Sequence, residues 1–288
     1  MGCITSKLSE KSDSIKSQSS QMEFQYIDGR RYPNAQDIVY PLPNDEEESD
    51  RLHLQHFLAR YIWNSNFSAP VRGHLIWQLR EYPLIEVVEL DVSPYQTKQI
   101  KPKNFTFVKA NATEGLPFDD NTFDFIFQRY LTAAVPKEKW PYLINELVRV
   151  LKPGGFLELS EFSSLFDTGP VNQRLWYTAV RVLEEKGVDF STYQKLEEYA
   201  QNQGQLENIK KEDKLYCHGL KSNDIKLSKV AINNTMTLYT SLKQVLTKPL
   251  NVSEDEYDEL VKASKDELFE FDTYYHLVRV YARKINNI

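Results

Sequence analysis

The 288-residue chain predicts an α/β fold, a mostly parallel sheet flanked by helices. Three observations carry that prediction. Short apolar runs recur at strand length, as in Glu86-Val-Val-Glu-Leu-Asp91 and Thr122-Phe-Asp-Phe-Ile-Phe-Gln-Arg129. A helical stretch follows the second and runs into Leu151-Lys-Pro-Gly-Gly155, after which Phe156 to Glu161 reads as another strand. Polar residues stand at the strand ends, at Asp91, Asn111 and Gln128-Arg129, where a parallel sheet gathers its ligand chemistry.

Taken in order, residues 1–21 are Ser- and Lys-rich with almost no aromatic content, too polar to build a core, and read as a disordered tether. Residues 22–288 read as the folded domain. Phe24 to Pro43 alternates apolar residues around a turn at Asp28-Gly29, and Asp45 to Trp63 has helical periodicity at Leu54, Phe57, Leu58, Tyr61 and Ile62. Asn64 to Pro70 is a loop, and Arg72 to Trp77 reads as the start of a helix. Beyond the strand at Glu161, helices are expected over Val171–Lys186, Ser191–Gln203, Ala231–Thr247 and Ser253–Glu270, the last opened by a capping box of Ser253 and Glu256. Leu206–Cys217 and Asp272–Lys284 read as strands.

The order of several short strings is specific. Asn44-Asp-Glu-Glu-Glu, Asp91-Val-Ser-Pro94, Glu114-Gly-Leu-Pro-Phe-Asp119, Gln128-Arg129 and Glu146-Leu-Val-Arg-Val-Leu-Lys-Pro-Gly-Gly-Phe-Leu-Glu158 follow one another at fixed spacing. From about Asn44 to Lys284 the sequence resembles the class I S-adenosylmethionine-dependent methyltransferases, most closely a fungal subgroup. The resemblance implies a Rossmann-like fold, S-adenosyl-L-methionine as cofactor and a small-molecule or lipidic methyl acceptor. It also implies a helical lid and acceptor region over residues 162–250 and an antiparallel C-terminal strand.

One part of that pattern is missing. The family places a glycine-rich turn after its first, central strand, and no Gly-x-Gly triplet occurs among the ten glycines here. Such glycines let backbone N–H groups approach the cofactor from a helix N-terminus. Gly73 is at most a remnant. The first strand is lost with the turn, so the sheet would have unpaired edges unless another segment fills the slot. A degenerate paralogue and an omitted exon at Val71-Arg72 both account for the gap.

The resemblance assigns cofactor contacts to Gly73, Asp91, Asn111, Ala112 and Gln128. Asp91 would accept from the ribose hydroxyls, or would cap the turn before Pro94. Arg129, Tyr130 and Glu161 face methyl donor and acceptor in this reading. Arg129 would pair with a carboxylate or form a surface salt bridge, and Glu161 would act as a base or as a cap. Methyl transfer rests on in-line positioning, so no obligatory dyad is expected. Tyr130, Trp176 and Tyr177 would line an apolar acceptor crevice. His53 and His56 lack a third ligand and read as structural, and Cys217-His218 lacks a third partner for nucleophilic chemistry.

A net charge of −6 argues against nucleic acid as a partner, and two cysteines make no disulfide framework. Met1-Gly-Cys-Ile-Thr-Ser6 fits N-myristoylation on Gly2 with palmitoylation on Cys3, which would attach the chain to the cytoplasmic face of a membrane. A disordered start that happens to carry these residues is the alternative. An enzyme is expected; a catalytically inactive binding or scaffold protein is the contrasting reading.

Overall fold

A computed structural model describes residues 3–8, 24–33, 41–71, 85–93, 103–219, 222 and 224–286. Its main sheet has seven strands in the order β5-β4-β1-β6-β7-β9-β8. β4 (Ile85–Asp91) pairs in parallel with β5 (Phe105–Lys109), and β6 (Phe123–Arg129) in parallel with β7 (Leu151–Phe162). β9 (Tyr274–Lys284) runs antiparallel between β7 and β8 (Leu206–Cys217).

The slot between β4 and β6 is filled by β1 (Cys3–Leu8), antiparallel to both neighbours. Residues 3–8 are thus a strand rather than the disordered tether expected, and they are the segment that fills the slot of the absent first strand. The physical reason is the one that made the gap costly: two strand edges inside a sheet must pair, and Cys3–Leu8 supplies both ladders. Thr5 alone faces Val88 on one side and Ile126 on the other.

One face of the sheet packs on α2 (Trp140–Val150) and α4 (Thr192–Gln203). Trp140, Leu143, Ile144, Leu147 and Val148 recur at helical spacing and are essentially inaccessible. Each such side chain contributes about 1.5–3 kcal/mol. Lys284 closes this layer by donating to the Val148 and Leu151 carbonyls at 2.7 and 2.6 Å, at the C-terminus of α2.

The opposite face carries α1 (Glu46–Trp63) and the loop after it. Asp45 caps α1 by accepting from Glu48 N–H, as the acidic run predicts. A second core joins α3 (Pro170–Glu184), α6 (Lys243–Leu250) and α7 (Glu254–Glu270), with Tyr239 from α5 (Ile225–Ser241). The small hairpin of β2 (Phe24–Ile27) and β3 (Arg30–Pro33) turns on Asp28 and Gly29, both at positive φ.

Two element boundaries differ from expectation. β7 begins at Leu151 rather than Phe156, taking Pro153-Gly-Gly155 into a strand with a register shift opposite Phe123 and Phe125. A Cβ on Gly155 would lie 2.8 Å from the Asp124 carbonyl oxygen, so the bulge needs glycine. The helix expected over 231–247 is two: α5 starts earlier because Asp224 caps Lys226 and Leu227 N–H, and the chain breaks at Leu242 before α6. The helix expected at Arg72–Trp77 lies outside the described residues. No helix among the described residues is long and apolar enough to cross a membrane.

Candidate functional site

β6 ends at Arg129, and Tyr130 leaves it at φ +57, a left-handed conformation uncommon for a bulky residue. Tyr130 N–H still donates to the Ser160 carbonyl at 2.9 Å, and Glu161 takes over from there. One Glu161 oxygen accepts from Leu131 N–H at 2.7 Å and Gln128 Nε2 at 2.5 Å. The other accepts from Thr132 N–H at 3.2 Å and Thr132 Oγ1 at 2.8 Å. Burial pushes the carboxyl up to about 7, against the pull of these four donors. Its lone pairs are engaged, so Glu161 positions the Tyr130 turn; the expected base role gives way to the cap. Gln128, fully buried, is its partner rather than a residue open to a ligand.

Tyr130 forms the floor of a cleft at the C-terminal ends of β6 and β7. Its ring meets Phe162 edge to face at 5.1 Å, with Leu277 of β9 beside it. Leu58 and Ala59 of α1, Trp176 of α3, and Ala231, Thr235 and Leu238 of α5 complete walls around a cavity of about 70 Å³ that opens to solvent. The surroundings are mostly apolar, with Gln55, Ser163, His218 and Asn234 as the polar groups. Trp176 is therefore placed as expected, whereas Tyr177 is half exposed and not among the lining residues.

His218 is the buried imidazole of this cleft. Thr235 Oγ1 lies 3.2 Å from the Ala231 carbonyl oxygen and 3.4 Å from His218 Nε2, and the backbone of Thr273 and Ala231 also acts on the imidazole. Nδ1 is buried and makes no hydrogen bond among the described residues. Burial lowers the imidazole to about 4, so at neutral pH it is an uncharged proton acceptor.

The strand-end residues fall on adjacent parallel strands. Asp91 faces Lys109 in the β4–β5 register, and Asn111-Ala112 follow β5 after Ala110. Asp91 Oδ1 accepts from Ser93 N–H at 2.8 Å, the turn-capping geometry foreseen as one of its two roles. Asn111 Oδ1 accepts from Thr113 N–H and Oγ1 while Nδ2 donates to Glu114, closing a local turn. Ala112 is half-buried against the core. These residues fit the nucleoside end of a nucleotide-like cofactor: a carboxylate and a small apolar surface at neighbouring strand tips. Gly73 and Gly2 lie outside the described residues; Cys3 begins β1, opposite Leu90 and Gln128.

Arg129 meets no carboxylate at salt-bridge distance among the described residues. Its Nη1 lies 2.6 Å from His56 Nδ1 and its guanidinium 5.3 Å from the Tyr130 ring. Burial, with Arg129 as the next cause, holds His56 down at about 3, so the ring is a neutral acceptor. His53 and His56 belong to no metal-like cluster among the described residues.

The loop at 64–71 is fixed by a buried ion pair. Glu158 accepts from Ser68 and Ala69 N–H, both at 2.7 Å, and meets Arg279 at 3.4 Å. Arg279 stacks 4.5 Å over Trp63 and donates to the Asn66 carbonyl. Burial pushes Glu158 up to about 7, with Arg279 opposing. Sequence reasoning named neither residue as a pair, since contacts between β7 and β9 leave no spacing signal.

Residues 71–159 match the family profile described as "Methyltransferase domain". The "Methyltransferase pytC" of Aspergillus terreus is 35% identical over 159 residues, covering 50% of this chain and 48% of that protein. The "Secondary metabolism regulator laeA" of Aspergillus flavus is 30% identical over 194 residues, 57% of this chain and 50% of that one. The chain thus spans about half the length of the curated relatives it matches. Among solved structures, a putative sarcosine dimethylglycine methyltransferase from Galdieria sulphuraria aligns over 82% of this chain and 87% of its own, at 15% identity and a TM-score of 0.45.

Proposed function

We infer that this chain, which belongs to the class I S-adenosylmethionine-dependent methyltransferases, transfers a methyl group to a small acceptor with an apolar body. The observation that carries the inference is the apolar cleft over Tyr130 at the C-terminal ends of β6 and β7, in the same molecule as the strand-tip residues Asp91 and Asn111. S-adenosylmethionine supplies an electrophilic methyl group when bound. The chain's own residues do the rest. Asp91 and Asn111-Ala112 hold the nucleoside, Glu161 fixes the turn that sets Tyr130, and the aromatic walls orient the acceptor and exclude water. His218 is the group of this cleft that would take a proton from an acceptor whose nucleophile is protic.

The acceptor reading is tested by incubating the protein with methyl-tritiated S-adenosylmethionine and fungal extract. Label in the organic-solvent phase, lost in Trp176→Asp, supports it; cofactor binding without transfer to any fraction favours the second reading. That second reading is a non-catalytic binding protein, favoured by the absence of a Gly-x-Gly turn and by the name regulator borne by one relative.

Acyl chains on Gly2 and Cys3 would bring a lipidic acceptor close, and the Met1 to Ser6 pattern supports that attachment. Cys3 also opens a central strand, so acylation and strand insertion draw on the same segment. Equal membrane content of wild type and Gly2→Ala in cell fractionation removes the anchor from the account.

A further inference from the structure

Arg129 brings a positive charge to the end of β6 and meets a neutral partner. His56 Nδ1, 2.6 Å away, can only accept from a guanidinium, so it satisfies one N–H of five; no carboxylate among the described residues lies at salt-bridge distance, and Glu89 and Glu161 act on the charge only from further off. The other two arginines buried beside this layer are matched: Arg51 sits 2.6 Å from Glu48, and Arg279 3.4 Å from Glu158. An unmatched charge partly withdrawn from water is costly, and such costs are kept where a ligand repays them.

The position says which ligand. Ile126, Val88 and Leu90 face the core against α2 and α4, so the alternate residues Phe125, Phe127 and Arg129, and Val87, Glu89 and Asp91, belong to the other face. Arg129 and Asp91 therefore end the two strands flanking β1 on one face, two strand spacings apart, about 9.5 Å. A nucleoside held at Asp91 that carries a short amino-acid arm spans a distance of that order to a guanidinium whose fork matches a carboxylate.

We propose that Arg129, oriented by His56, is a carboxylate receptor, and that the carboxylate is the amino-acid end of S-adenosylmethionine, held here by a side chain where the chain has no Gly-x-Gly turn. The proposal rests on the methyltransferase reading, and its test separates the two. S-adenosylhomocysteine and methylthioadenosine share nucleoside and thioether; only the first has the carboxylate.

Calorimetric titration of the full chain with each should show wild type preferring S-adenosylhomocysteine by about tenfold to 100-fold, the contribution of a charge-assisted bond. Arg129→Gln should lose that preference while binding methylthioadenosine as before, and Arg129→Lys should keep part of it. The thermal midpoint of unliganded Arg129→Gln should match or exceed wild type, since an unmatched charge is removed; a drop would mark a structural residue and overturn the proposal. A preference that survives in Arg129→Gln also overturns it. Equal affinities of wild type for the two nucleosides overturn it as well. Failure of both nucleosides to bind contradicts the methyltransferase reading itself, and the proposal that rests on it falls with it.

Discussion

Glu161 on β7 accepts the backbone N–H of Leu131 at 2.7 Å, across the sheet from its own strand to the turn that follows β6. With Thr132 and Gln128 as further donors, one carboxylate holds the turn on which Tyr130 is placed. Glu161→Ala strands four buried donors, each costing about 1–3 kcal/mol, and should lower stability by about 3–5 kcal/mol in urea unfolding. A loss under about 1 kcal/mol would show that the turn holds itself.

The Glu158 and Arg279 pair should behave as a unit. Arg279→Met leaves a buried carboxylate uncompensated and should cost about 3–5 kcal/mol. Adding Glu158→Gln should cost less than the sum of the single changes by more than about 1 kcal/mol. Additive effects would mean that the 3.4 Å approach carries no coupling.

Much of the fold was legible. The acid run at Asp45–Glu48 and the pair Ser253 and Glu256 marked helix starts that the structure realises, because capping is a local event written in adjacent residues. β4, β6 and β9 were visible as apolar runs for the same reason. β1 was not. Its six residues, Cys-Ile-Thr-Ser-Lys-Leu, lack a dense apolar pattern, and what makes them a strand is the pair of open edges on β4 and β6. The site was legible in the same measure. Strand ends named Asp91, Asn111 and Tyr130, whereas His218, distant in sequence from every other lining residue but those of α5, enters only through the packing of β8 and α5. Glu161 was located with its two roles left open, base or cap, because the donors that decide for the cap lie on another strand.

Strand insertion makes its own prediction. Thr5→Pro removes a backbone donor between Val88 and Ile126 and should cost about 2 kcal/mol or more. Deleting residues 2–8 opens two edges at the sheet's centre and should abolish cooperative unfolding followed by circular dichroism. A deletion that melts like the full chain would remove β1 from the fold.

Acid should reveal His218. Its folded value, about 4, lies below the unfolded 6.5, so its neutral form favours folding above that value and the contribution is lost as pH falls toward the folded one. The unfolding free energy of wild type minus that of His218→Gln should fall by on the order of 3 kcal/mol between about pH 7 and about pH 4. A difference that stays constant over this range would place the imidazole in water.

Binding of the cofactor at the tip of β4 tests the whole account most directly. Calorimetric titration of the full chain with S-adenosylmethionine should give saturable heat, and Asp91→Ala should weaken it by about tenfold or more through loss of the ribose contacts. No heat with wild type, or equal affinity in Asp91→Ala, would contradict the site described.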